Sequence, residues 1–113
     1  VYKRQEYISA ERSNKHAAAG MKRQCEREIR LCIRAQWKGK VRFRRPVAMR
    51  YLWVEKNKRR DKDNIAFAKK FIQDALVKEK VLENDGWAQI ESWRDAFAVD
   101  AQRPRVEVEL EEV

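Results

Sequence analysis

Apolar residues recur along this chain with two periods, and the switches between them mark out the elements. Over residues 10–36, Ala18, Met21, Cys25, Ile29, Cys32 and Ile33 follow spacings of three and four, the repeat of a helix with one buried stripe. Lys22, Arg23, Arg27, Arg30 and Arg34 fall largely on the other faces. Ser13 is a candidate N-cap for the regular part, and Trp37-Lys38-Gly39 supplies a C-terminal stop. Residues 41–55 alternate instead. Val41, Phe43, Val47, Met49, Tyr51 and Trp53 share one face, with Arg42, Arg44 and Arg50 on the other, which predicts a half-buried strand broken near Pro46. Leu52 and Val54 make its far end apolar on both faces, as in a more central strand.

The helical period returns over 64–79. Ile65, Ala68, Ile72, Ala75, Leu76 and Glu79 mark one face, Phe67 and Phe71 broaden it, and Asp63 is a natural N-cap. Val81-Leu82 leads into the turn "ENDG". Residues 87–99 and 105–111 read as two strands joined through "AQRP", the second alternating Val106, Val108 and Leu110 with Glu107, Glu109 and Glu111. With one further strand expected before Tyr7, the economical architecture is α+β: a small mixed sheet with two main helices packed on one face.

Composition narrows the class. The 113 residues suit a single domain spanning 1–113, and 43% apolar with 10% aromatic residues describes a globular chain. No apolar run approaches the roughly 20 residues of a membrane helix, and no signal-peptide pattern opens the chain. The missing initiator Met points to a trimmed start. Cys25 and Cys32, seven apart on a helix, are too distant for a disulfide. One His and no CxxC pair argue against structural zinc. Both cysteines are expected to be small buried hydrophobes in a reducing cytoplasm. His16 is expected on a helix surface.

The net charge is +9, but its distribution says more. Residues 1–60 hold 19 Lys+Arg against 5 Asp+Glu, while residues 61–113 hold 8 against 13. The first half is suited to a polyanion, with nucleic acid favoured over a generically basic surface. The second half carries the candidates for metal and acid–base chemistry.

Those candidates begin at the join, in "KRRDKDN". In an extended segment, Asp61 and Asp63 would point the same way, and Asp85 follows after a helix able to fold back. Three converging carboxylates suit Mg²⁺ or Mn²⁺, hard cations that keep waters and take substrate phosphate. Lys70, seven residues after Asp63, shares its helical face, whereas Lys69 points about 100–120° away. Asp74 lies one turn beyond Lys70 and can pair with it. Spacing alone leaves the bland alternative open: a helix cap, a loop acid and the first half of an Asp-Gly turn.

The combined stretch is more specific. "RDKDN", an amphipathic helix with a Lys before "DAL", and "VLENDGW…I" resemble the RusA-type Holliday junction resolvases, a family of homodimeric Mg²⁺-dependent endonucleases of phages and prophages. The resemblance is densest over residues 59–90, and the strands "VAMRYLWVEKNKRRD" and "RVEVELEE" also fit. It implies Asp61, Asp63 and Asp85 as catalytic metal ligands, with Asn64 after the pair. It also implies a catalytic lysine at Lys70, four residues before the Asp of "DAL". Two departures stand out. The interval from Asp63 to Asp74 exceeds that of the best-known members, which keeps Lys69 as a rival. Position 84 is Asn where the family often has a second acid.

The function so implied is nicking of branched DNA by metal-assisted phosphodiester hydrolysis, with Arg42, Arg44, Arg59 and Arg60 on phosphate backbones and Lys69, Lys15, Lys22 and Arg23 as further contacts. Trp37, Trp53, Trp87 and Trp93 are expected in the core or at a subunit interface rather than as stacking platforms. Phe67 or Phe71 is a candidate wedge at a junction's centre. The alternative from another class is a non-catalytic basic module that binds nucleic acid and does not need the acids.

Overall fold

Alternation that buries one face is honoured wherever a neighbouring strand can pair with it. The computed structural model describes residues 3–11 and 21–113. Strands β1 (Gln5–Glu11), β2 (Val47–Glu55), β3 (Ile90–Val99) and β4 (Arg105–Glu112) form one sheet in the order β1-β4-β2-β3. β4 runs antiparallel to both β1 and β2, and β2 pairs with β3 in parallel. Register keeps the apolar set together: Ile8 faces Val108, Ala10 faces Val106, and Met49 faces Leu110. β2 lies inside the sheet, and Val54 is buried like Trp53, as the two-sided apolar end of this strand predicts. The mixed sheet with helices packed on it is the expected α+β architecture.

Helix α1 (Met21–Trp37) buries Ile29, Ile33 and Trp37, and the Trp37 indole N–H donates to the Tyr7 carbonyl at 2.9 Å. The chain leaves α1 through two left-handed residues, Lys38 (φ 53) and Gly39 (φ 73), the role expected of this glycine. Cys25 and Cys32 form no disulfide and are only partly buried, and Cys32 packs against the core.

Three boundaries differ from the sequence-based expectation. Ala10 and Glu11 belong to β1 rather than to a helix over 10–36, because Ala10 continues the burial alternation of Ile8 and pairs with β4. Ser13, Lys15, His16 and Ala18 lie outside the described residues. Residues 41–45 are not a strand. Val41 and Phe43 are still buried and Arg42 and Arg44 exposed, but among the described residues the segment's one backbone–backbone bond runs from Phe43 N–H to the Val81 carbonyl at 2.8 Å, and β2 starts only after Pro46. The helix expected over 64–79 is two helices, α2 (Lys62–Ala66) and α3 (Lys69–Lys78). At the break, Ala68 N–H bonds Ile65 O at 3.4 Å, a tighter i−3 contact, and α3 restarts with Phe71 and Ile72 N–H on Ala68 O. The break lets Ile65 and the stripe Ile72, Ala75 and Leu76 all reach the core.

A parallel β2–β3 pair requires a crossover, and α2 and α3 provide it. α3 packs on α1 through apolar residues and a charged seam. Glu79 accepts from Arg30 Nε and Arg34 Nε, each at 2.7 Å, and Lys78 Nζ lies 2.5 Å from Glu26. The hydrogen bond from Arg34 holds the Glu79 carboxyl below the ordinary glutamate range, with Arg30 adding to it. A depressed folded-state pKa stabilises the fold above the unfolded value near 4.5 and ceases to do so as pH falls through the folded value. Glu79→Gln is therefore expected to cost about 1 kcal/mol at neutral pH, the scale of partly exposed ion pairs, or about 4 °C in Tm. Thermal melts of both proteins should converge in acid, as pH falls through the depressed folded-state value of Glu79; a gap that persists there would show that charge is not its source.

Candidate active site

The crossover determines where each chemistry-bearing residue stands. Asp61 and Asp63 follow the C-terminal end of β2, whereas Asp85 precedes the N-terminal start of β3, and Val47 pairs with Ile90 while Glu55 pairs with Val99. The two acidic stretches thus flank opposite ends of the parallel pair. Asp61 occupies the N-cap position of α2 with extended backbone (φ −70, ψ 151), and makes no side-chain capping bond. Asp63 sits in the first helical turn, where its Oδ1 accepts from Asn64 N–H at 3.0 Å. This corrects two expectations. Asp61, not Asp63, is the cap residue, and the pair does not project from one extended segment, because the helix starts between them. Both carboxylates are exposed, and Asp61 lines a groove with Glu55, Lys62, Ile65 and Phe97.

The first turn of α3 carries the two lysines in different environments. Lys69 Nζ lies 2.6 Å from Asp95 Oδ2, 4.9 Å from the centre of the Trp93 ring and 5.4 Å from that of Tyr51. Its side chain is 15% exposed. Asp95 is fixed from the other side by the Trp53 indole N–H, which donates to Oδ1 at 2.9 Å, while Trp53 stacks on Tyr51 at 5.5 Å. Ring faces attract an ammonium, so this cation is neutralised and enclosed, with little left for a phosphate. Burial pushes the Tyr51 phenol above its ordinary range, and its oxygen accepts from Gln73 Nε2. Asp95 was not a candidate from sequence. Its signal was present in "SWRDAFAV", where one acid shares a strand face with Trp93 and Phe97.

Lys70 reaches the other way. Its Nζ lies 2.5 Å from Asp85 Oδ2 and 3.0 Å from Asp74 Oδ1, and its side chain is 60% exposed. Of the two lysines it is therefore the one in contact with the acidic turn, although the helix break means that it shares no continuous helix face with Asp63. Its hydrogen bond to Asp85, then that to Asp74, raises the Lys70 ammonium above its usual pKa. It stays protonated at neutral pH, which suits it to stabilise negative charge and unsuits it as a general base. Asp85 N–H donates to Asn84 Oδ1 at 2.9 Å, so Asn84 shapes the turn.

Among the described residues, no three of His, Cys, Asp and Glu stand gathered as a metal-ligand set. Asp85 meets Lys70 and Asp74 instead. The donor chemistry nevertheless fits a hard divalent ion: all three candidates offer carboxylate oxygens that are exposed or only partly buried, and Asp85 already holds a cation.

Of the basic candidates, Arg42, Arg44 and Arg59 are exposed, while Arg60 Nε lies 3.3 Å from Glu55. Lys22 and Arg23 fall within α1. Arg4 clips the loop before β2, donating to the carbonyls of Arg42 at 3.0 Å and Lys40 at 3.3 Å, and covers the Phe43 ring. Trp37 and Trp53 are core residues as expected. Trp93 stands over Lys69, and Trp87 is solvent-exposed. Phe71 is buried, with Phe67 exposed against its edge.

Lys69 and Asp95 are expected to be energetically coupled. Asp95→Ala and Lys69→Ala should each cost about 2 kcal/mol, the range for hydrogen bonds to charged groups. The double variant should cost clearly less than the sum. Urea denaturation of the four proteins measures this, and strictly additive losses would deny the coupling.

Comparison with known proteins bears on this arrangement directly. The family model described as Endodeoxyribonuclease RusA matches residues 1–111. No curated protein matches the chain. A match over nearly all of a chain whose mixed sheet carries the acidic stretches on its crossover establishes that the chain belongs to the RusA endodeoxyribonuclease family.

Proposed function

We propose that the protein is a Mg²⁺-dependent, structure-selective endonuclease of phage or prophage type that resolves four-way DNA junctions by paired symmetric nicks. The observation that carries this best is the Lys70–Asp85 contact, which joins the α3 lysine to the acidic turn across the crossover of a RusA-family chain. Asp61, Asp63 and Asp85 are the carboxylates proposed to take the ion; because Asp85 stands on Lys70 at the other end of the β2–β3 pair from Asp61 and Asp63, one shared ion would require the two stretches to come together. A bound Mg²⁺ supplies the Lewis acidity that activates a water and offsets charge on the phosphoryl oxygens. Mn²⁺ has the same ligand preference and is expected to substitute.

The chain's own residues do the rest. Lys70, kept protonated by its two carboxylate neighbours, donates to a nonbridging oxygen of the attacked phosphate as charge develops. Arg42, Arg44 and Arg59 grip phosphate backbones, positioning the strand without reading its sequence. Lys15, Lys22 and Arg23 are proposed as further phosphate contacts, and Arg60 joins them if Glu55 releases it. Glu107 and Glu111, half-buried on the other face of β4, place negative charge there, which disfavours DNA on that side.

Two symmetric nicks need two related sites, hence a twofold homodimer. The edge strand β3 suits the contact. Among the described residues it has no partner on its outer side, and Trp93 (53%) and Val99 (49%) are exposed along it. No helix among the described residues is long and apolar enough to cross a membrane. A single domain working in the cytoplasm on host or phage DNA fits these features.

A four-way junction nicking assay tests the activity. Wild type should cut with Mg²⁺ or Mn²⁺ and still bind in EDTA. Asp63→Asn and Lys70→Gln should each lower the rate by about 10²-fold or more, on the scale of lost electrostatic stabilisation. Cutting by Asp63→Asn at the wild-type rate would refute the assignment, and junction binding without cleavage under any metal would return the chain to a binding module. Separately, Val99→Asp should shift sedimentation velocity from dimer to monomer; an unchanged dimer would place the contact elsewhere.

A further inference from the structure

Trp87 is 100% exposed, two residues beyond Asp85, and takes no part in the chemistry above. Its backbone is nonetheless well held. Ile90 N–H bonds Gly86 O at 3.0 Å, Gln89 N–H bonds the same oxygen at 3.1 Å, and Gln89 Oε1 accepts from Gly86 N–H at 3.2 Å. These bonds close a turn with Trp87 and Ala88 at its tip. The surrounding loop is tied at both ends to the basic segment before β2, through Phe43 N–H to Val81 O at 2.8 Å and Val47 N–H to Gln89 O at 2.9 Å. Exposed Arg44 and Arg45 lie between those ties, with exposed Arg42 just before them.

A preorganised turn therefore presents an indole to solvent beside guanidinium groups and beside the Lys70–Asp85 contact. An indole face flanked by cations matches a nucleobase whose phosphates lie alongside. It matches a second copy of the same surface poorly, because a twofold contact would bring Arg42, Arg44 and Arg45 against their own equivalents. A base inside intact duplex has both faces covered, whereas a base at a branch point can unstack. We propose that Trp87 is the residue that stacks on an unstacked base next to the cleavage site and so favours branched over linear DNA. This rests on the function proposed above, which supplies the branched substrate.

The test uses the full chain in EDTA, with a four-way junction and a linear duplex, each carrying 2-aminopurine at the branch-point position or its linear equivalent. Wild type should change the fluorescence of the junction probe and leave the duplex probe unaltered. Trp87→Ala should abolish the change and weaken junction binding about tenfold, the scale of one lost stacking contact. Trp87→Phe should retain most of both. An unchanged signal with Trp87→Ala, an equal loss of affinity for junction and duplex, or a shift to monomer in sedimentation velocity would each overturn the assignment. Mg²⁺ nicking by wild type is read in parallel. Stacking without nicking rejects the nuclease function alone, and nicking without stacking rejects the role of Trp87 alone.

Discussion

The parallel pairing of β2 with β3 is the constraint on which everything else depends. An antiparallel partner could have followed β2 through a short turn, but a parallel one obliges the chain to travel back along the sheet before it can begin β3. That return carries Asp61, Asp63, both lysines and Asp85, so the candidate chemistry is distributed along a single crossover. The crossover is secured at several points. The Lys69–Asp95 pair fastens the start of α3 to the edge strand, the Glu79 clamp fastens its end to α1, and Phe43 and Val47 fasten the loop that follows. Lys70 is placed by these neighbours rather than by its own bonds.

Charge is sorted by the same architecture. The sequence places its cations early and its acids late, yet the two populations meet across element boundaries. Arg30 and Arg34 are consumed by Glu79, Arg50 lies 3.7 Å from Glu109, and Arg60 approaches Glu55. What remains for a polyanion is concentrated on the loop before β2, which is tied to the segment carrying the acidic turn, and around Arg59 at the other end of the strand. The half-buried Glu107 and Glu111 of β4 leave negative charge on the other side.

Much of the fold was legible because burial on one face imposes strict alternation. β4 shows this most clearly, with Val106, Val108 and Leu110 in the core while Glu107 and Glu111 stay half-buried on the other face and Glu109 is buried there against Arg50, and β2 announced its inner position through Val54. What escaped depended on partners that a sequence does not display. The alternation of Val41, Arg42, Phe43 and Arg44 was real, but without a ladder it made a pinned loop, not a strand. The strand expected before Tyr7 runs on to Glu11, an extent that was hidden because Ile8 and Ala10 were too few to outweigh the helical pattern assigned after them. In the site, residue types were legible and their company was not. Lys69 and Lys70 are adjacent in sequence, and only the sheet decides that one faces an aromatic enclosure and the other the Asp85 turn.

The break between α2 and α3 has a consequence for how this chain tolerates change. In one continuous helix, adding or removing a residue turns everything downstream by about 100°, which would swing Lys70 off the acidic turn and Ile72 out of the core together. With a joint at Phe67–Ala68, the rotation of α3 is fixed by Ile72, Ala75, Leu76 and the Lys69–Asp95 anchor. The short helix bearing Asp63 keeps its own angular setting. The interval from Asp63 to Asp74 can then vary in length without misaligning either end. That is a mechanical account of how a longer-than-usual spacing remains compatible with the family's architecture.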